Sequence, residues 1–449
     1  MRYVAIASLI LAMGMVSCEP DPPIDPNPLI PPTEDHGPPV ENTSPIEGYA
    51  NQVSYHPGDS VFLMLSSSTD SLVNISVYRL STDLDLVFAE TDVPVKQQDY
   101  YQYSYSFGCY WDTTYRFKLA DDQRSGYYVA AIKNSSNNTE YITFIVKEPR
   151  QTTESDVLVI ASSNTWQAYN KWGGGSFYRY EHNDLGEDIR HSVIVSFNRP
   201  NKADSPFGDK GHLVNAEMHL IRWLEENEID YAVATDRDIH GSDFQFTNRK
   251  VVMLHAHPEY YSTEMLDHLE SYNTSGGNIM YLGANGLYWK VTMSDNDQLE
   301  CRKDGDTHKY GSGTGGLWKD KGRSPSLLVG VHYSGTGYDT YHPYSVIEEN
   351  HWVFDNTGLG KSDLFGENSL NGGGASGHET DKRTENTPED FELIARGTNP
   401  DLGGAQMVIR ESAGRGIVFS VGSITYTGAL SVDSNVHQIT MNVLDKCLE

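Results

Sequence analysis

His255, His257 and Glu259 occupy alternate positions at the end of an apolar run, KVVMLHAHPEYY (residues 250–261), and two tyrosines close it. A carboxylate two residues from an imidazole can ligate a metal, exchange protons, or form the polar entry to a following helix. Glu259 is a hard oxygen donor, and His257 can ligate or act as a base beside it. Tyrosines could complete such a shell, because a trivalent cation pulls a phenol, ordinarily titrating near pH 10, down far enough to bind as phenolate. Hard oxygen ligands favour iron(III) over zinc or copper, and a metal so held can polarise a carbonyl and activate water together. By spacing alone, an HxE at a strand end is more often a hydrogen-bonded structural feature than a ligand set. His255 reads as a packed edge histidine by the same argument.

Other chemistries lack their residues. No cysteine lies beside a strand end, so the thiol nucleophile of a class-I amidotransferase is missing. There is no Gly-x-Ser-x-Gly elbow and no glycine-rich phosphate loop after a strand. The net charge of −29 argues against nucleic-acid or anionic-lipid binding, which needs a basic surface.

The elements that would position these residues begin near residue 155. DVLVIAS (156–162) is a continuous apolar strand, and LVNAEMHLIRWLEENE (213–228) places Val214, Met218, Ile221 and Leu224 at helical spacing. IDYAVAT, KVVMLHA, NIMYLG and GIVFSVGS read as further strands, with helices around residues 262–272 and near the C-terminus. Buried strands alternating with helices predict a doubly wound, mostly parallel α/β sheet of class-I amidotransferase type. In such a sheet ligands bind beyond the carboxyl ends of the strands. Trp166, Tyr169, Asn170, Tyr178, His257, Glu259, Tyr260, Asn285, Trp289, Thr425 and Tyr426 all follow strands on that edge. Asn285 could equally cap a turn, and Trp166, Trp172 and Trp289 read as pocket walls or core. Residues 290–414, with DGDTHKYGSGTGGLW and LNGGGASGHETD, read as a loop-rich insertion.

Upstream, residues 47–150 alternate apolar and polar in short runs separated by turn residues, which predicts a small all-β sandwich. Residues 1–17 read as a lipoprotein-type export signal, with Arg2, an apolar run and Ser17 before Cys18, the residue that would carry lipid. Residues 18–46 are acidic and proline-rich and read as a tether. The expected setting is therefore an exported lipoprotein at the bacterial cell envelope, touching membrane only through the Cys18 anchor. Cys109, Cys301 and Cys447 remain, an odd number in which one disulfide could form.

Six segments in order, NTWQAYNKWGGGSFY, VSFNRP, WLEENEIDYAVATDRDIH, HAHPEYYSTEMLDHLESYNTSGGNIMYLGANGLYW, GGGASGHETD and GSITYTGAL, resemble the C-terminal region of the N,N-dimethylformamidase large (β) subunit. The resemblance runs from about residue 156 to the end, and the preceding β region resembles a module that accompanies it. It implies an iron-dependent amidohydrolase with a mononuclear Fe(III) held by two tyrosines and a glutamate, matched here by Tyr169, Tyr178 and Glu259. Around the metal it implies His257, Asn285 and Glu379. NKWGGG is shorter than the family's loop, which leaves Tyr180 as an alternative to Tyr178. The expected function is hydrolysis of a linear amide or related non-peptide C–N bond in a small molecule. The alternative is a non-catalytic surface lipoprotein that binds a small molecule or glycan.

Overall fold

The computed structural model describes residues 36–150, 152, 155–178, 190–208, 211–242, 244–246 and 248–449. The segment read as an export signal, Cys18, most of the expected tether and Tyr180 lie outside the described residues. No described helix is long and apolar enough to cross a membrane.

Residues 47–146 build a five-stranded and a three-stranded sheet around a shared core that includes Val61, Leu63, Ile75, Val77, Tyr128 and Phe144. The end of the expected tether joins this unit, since Pro39–Val40 pair with Tyr100–Tyr101 and Ile46 is buried. The strand Gly126–Lys133 then turns toward the larger unit, where the Tyr127 hydroxyl donates to Glu217 at 2.7 Å.

The larger unit is organised by a nine-stranded sheet. Five parallel strands stand side by side in the order Tyr231–Thr235, Val157–Ala161, Val251–Ala256, Asn278–Gly283 and Val418–Ser420. Successive side chains on a strand face opposite ways, so each of these strands feeds two cores. Val157, Val159, Val251, Met253 and Met280 pack with the helices Val214–Glu226 and Ser434–Leu448. Leu158, Ile160, Val252, Leu254 and Ile279 pack with the helix Thr263–Thr274. Ser262 starts that helix, its hydroxyl accepting from the Met265 amide at 3.3 Å.

The expectation of a doubly wound, mostly parallel α/β fold of class-I amidotransferase type is overturned. The protein is mostly β, with 33% strand against 19% helix and several large mixed or antiparallel sheets. Four of the eight pairings in the nine-stranded sheet are antiparallel, because Gln406–Arg410, Phe391–Gly397, Tyr344–Val346 and Leu364–Phe365 continue it beyond Val418–Ser420. For Gln406–Arg410, paired with both Phe391–Gly397 and Val418–Ser420, the cause is connection length. A parallel crossover needs about a dozen residues or more, and the connections 398–405 and 411–417 are too short for one. All four of these strands come from the stretch read as loop, where QMVIR and FELIARG sit among glycine-rich segments. Among the described residues Cys109, Cys301 and Cys447 form no disulfide, and all three are buried.

Candidate active site

Each parallel strand delivers its next residues to the same edge. After Val157–Ala161 comes the helix Ser163–Tyr169, which Asp236 receives by accepting from the Asn164 amide at 3.0 Å and from the Ser163 hydroxyl. Tyr169 closes this helix, and the chain returns at once. Gly173 and Gly174 adopt positive φ of 76° and 80°, a turn that side chains resist. The Phe177 amide and the Ser176 hydroxyl both donate to the Ala168 carbonyl, at 3.2 and 2.7 Å. The short NKWGGG thus folds Tyr178 back beside Tyr169, with ring centroids 4.2 Å apart.

After Val251–Ala256 the alternation breaks. Ala256 has φ of +53°, and a Cβ on Gly283 would meet the Ala256 carbonyl oxygen at 2.5 Å, so the two strand ends approach closely only because residue 283 is glycine. The kink separates His255 from His257, which strict alternation would put on one side of the strand. His255 points back to the N-terminal β unit, with Nε2 3.4 Å from the Tyr127 hydroxyl, and burial lowers it to about 3. His257 instead joins Glu259, whose amide is fixed by the Thr165 hydroxyl at 3.2 Å and the His257 carbonyl at 3.0 Å.

After Asn278–Gly283 comes the ANG turn, with Asn285 at φ +48°. Asp381 accepts from the Asn285 amide and from the Tyr281 hydroxyl, both at 2.8 Å. This carboxylate, raised to about 6 by burial, ties the turn to the HETD segment and so brings Glu379 to the same edge as Asn285.

These elements converge on Glu259, which is 2% exposed. The Tyr178 hydroxyl donates to both its oxygens at 2.8 Å, and the Tyr260 hydroxyl donates to Tyr178 at 2.8 Å. His257 Nε2 lies 3.4 Å from a Glu259 oxygen and 3.3 Å from a Glu379 oxygen. Full burial, reinforced by His378 and Lys303, holds His257 well below the usual imidazole range despite the flanking carboxylates. Neither His257 ring nitrogen nor Asn285 Oδ1 has a hydrogen-bond partner among the described residues. Tyr169 faces His257 and His212, with ring centroids 5.9 and 4.7 Å away.

Two features of this centre had no signal in the sequence. Lys303 brings its ammonium to 3.8 Å from the centre of the Tyr178 ring and 4.8 Å from that of Trp289. His212 and His378 stack at 5.3 Å to form a wall beside His257, and burial lowers His378 to about 4. Both depend on chain closure over long sequence distances. Trp166 and Trp172 are core: Trp166 donates to Glu217 at 2.9 Å, and Trp172 packs edge-on to Trp111.

The donors suit a hard trivalent cation rather than a soft one. Among the described residues no group of three or more His, Cys, Asp or Glu is placed to hold a metal ion. Two phenols and a carboxylate are oxygen donors of the kind iron(III) prefers, and the unpartnered His257 nitrogens supply further polar atoms facing the same carboxylates. The residues therefore fit a ferric ion.

Fold and site together define a mixed-sheet protein carrying a buried phenol–carboxylate–imidazole centre on the carboxyl edge of its parallel strands. The chain belongs to the family described as N,N-dimethylformamidase beta subunit-like, C-terminal, whose model matches residues 75–440. That match begins inside the N-terminal β unit, well before residue 156. N,N-dimethylformamidase beta subunits from Alcaligenes sp and Paracoccus aminophilus are each 28% identical over 420 residues, covering 76% of this chain and 55% of theirs. The chain thus spans little more than half the length of these relatives. Among solved structures, the mmIFT52 N-terminal domain aligns with a TM-score of 0.28 at 11% identity, over 50% of this chain and 87% of that one, too slight a likeness to inform the fold.

Proposed function

We propose that this protein is an iron-dependent hydrolase of a linear amide or related non-peptide C–N bond in a small molecule. The observation that carries the reading is the Tyr178 hydroxyl donating to both oxygens of buried Glu259, at 2.8 Å each. A phenol and a carboxylate aligned on one point, with a second phenol stacked alongside, are arranged as ligands would be. Family membership and the names of the two relatives support the amidohydrolase class.

In this reading Tyr169, Tyr178 and Glu259 would hold a mononuclear iron(III), which when bound would supply Lewis acidity toward an amide oxygen or a water. Glu379 or His257 takes the proton from that water. A neutral His257 can receive a proton, and Glu379 lies 3.3 Å away to share it. Asn285 Oδ1, buried and turned to the same edge, orients the substrate. Exclusion of water by the surrounding aromatic rings strengthens each of these polar interactions.

The proposal extends to location: the apolar run that ends at Ser17–Cys18 supports export and lipid attachment at Cys18, which would put the enzyme at the bacterial cell envelope. Fatty-acid labelling of the full chain, abolished by Cys18→Ala, is the expected result; labelling that survives the substitution contradicts the anchor. For the chemistry, release of amine from a panel of linear amides should follow iron loading and vanish in Glu259→Ala. Hydrolysis that persists unchanged in folded Glu259→Ala would remove the site from the reaction.

A further inference from the structure

The segment that carries both tyrosines has little regular structure to hold it. Between the end of the helix Ser163–Tyr169 and Tyr178 lie only a three-residue 3₁₀ turn and two residues of strand. Side chains that project from such a return inherit its mobility unless something else fixes the backbone. The fixing group comes from VSFNRP, a segment whose part in the resemblance is otherwise unexplained.

Arg199 is fully buried, and each of its hydrogen bonds goes to a backbone carbonyl. Nε donates to Ser196 at 3.1 Å, on its own segment. Nη1 donates to Trp172 at 2.7 Å and Gly175 at 3.0 Å, and Nη2 to Asn170 at 3.2 Å and Gln167 at 3.5 Å. A guanidinium has five N–H donors, and here five carbonyls receive them. Four of the five belong to residues 167–175, so one rigid planar group ties together the helix end, the turn and the return strand. Asn170 locks the far side, its side chain donating to the Pro200 carbonyl at 2.9 Å and accepting from the Trp172 and Lys202 amides at 3.1 and 3.2 Å.

We propose that Arg199 is the positioning residue for the Tyr169–Tyr178 pair, acting as a five-carbonyl clamp on the return between them. The proposal rests on the reading of these tyrosines as iron ligands. Lysine cannot replace it, because an ammonium offers three donors from a single point and cannot span carbonyls spread around a plane.

The test compares Arg199→Lys with Leu269→Ala, a buried truncation in the helix Thr263–Thr274 on the other face of the sheet. Hydrogen exchange is read on iron-free full-length protein by fragmentation-resolved mass spectrometry at Gly174 and Phe177, whose amides donate within the clamped segment. Arg199→Lys should speed exchange there by about tenfold or more while Leu269→Ala leaves it near wild type. Iron(III) affinity should fall by about tenfold or more in Arg199→Lys alone. Unchanged exchange at Gly174 and Phe177 in Arg199→Lys, or equal acceleration in Leu269→Ala, overturns the assignment. If Arg199→Lys does not fold, Asn170→Ala decides: the guanidinium alone should hold both amides within about threefold of wild type. Acceleration of about tenfold would put the positioning in Asn170 instead. Wild-type protein that takes up no iron overturns the ligand reading, and the metal-free exchange result still decides this one.

Discussion

Tyr178→Phe removes a single oxygen from the centre, and its effect can be worked from two contacts. The hydroxyl donates to both oxygens of Glu259 and accepts from Tyr260, each at 2.8 Å. Glu259 is 2% exposed, and removing the donor to such a buried group costs about 1 to 3 kcal/mol. Loss of the acceptor for the Tyr260 hydroxyl adds to this, so iron-free Tyr178→Phe should be about 3 kcal/mol less stable than wild type. Urea unfolding of iron-free protein measures the difference, with Tyr101→Phe as an exposed control expected to stay within about 0.5 kcal/mol. Added iron(III) should then separate the two proteins further. At about a hundredfold excess over its dissociation constant it stabilises wild type by about 2.7 kcal/mol, whereas the phenylalanine variant lacks one ligand oxygen and should gain far less. A Tyr178→Phe protein as stable as the Tyr101→Phe control would show that the phenol–carboxylate pairing does not exist, and the argument built on it would fail.

Other predictions separate ligands, proton-handling groups and framework. Glu379→Gln should keep iron but lose about a hundredfold or more in turnover, as expected of a proton acceptor; equal loss of iron would make Glu379 a ligand. Glu217, buried beneath the site and accepting from Tyr127 and Trp166, is raised by burial from 4.5 to about 7. A carboxylate raised in the folded state contributes stability that is full below its unfolded value and is lost as pH rises through its folded value. Stability should therefore fall between about pH 4.5 and 7 by about 3 kcal/mol from this group, and Glu217→Gln should flatten that slope. Urea midpoints across the range check this, and an identical slope in the variant contradicts it. Gly283→Ala should destabilise the protein and disturb the HPE segment, because its Cβ would meet the Ala256 carbonyl at 2.5 Å; wild-type stability and full iron binding in that variant would show that the close approach does not matter.

The sequence was most informative where one physical force dominates. Continuous apolar runs such as DVLVIAS and NIMYLG become the buried strands Val157–Ala161 and Asn278–Gly283, since nothing competes with burial there. The fold class was misread where the signal is weak. FELIARG and QMVIR lie among glycine-rich stretches, and their antiparallel direction follows from short connections rather than from residue type. At the site, HxE spacing identified a polar strand end and His255 read as a packed histidine, which its burial against Tyr127 matches, but the turn that parts it from His257 lies in the positive φ of Ala256, which cannot be read from an alanine. Tyr169 and Tyr178 were placed on the carboxyl edge because they follow a strand, but their expected ligand role, and Glu379 altogether, entered through family resemblance. Lys303, His212 and Arg199 were silent in the sequence because each acts on partners that only chain closure brings near.

Iron loading tests the central claim most directly. Purified full-length protein, loaded with iron(III) and freed of excess, should carry a single iron per chain and show a visible phenolate-to-iron charge-transfer band. Tyr169→Phe should weaken that band, and Glu259→Ala should abolish both band and bound iron while the fold persists. Protein that stays colourless and metal-free after loading, or an undiminished band in folded Glu259→Ala, would contradict the account.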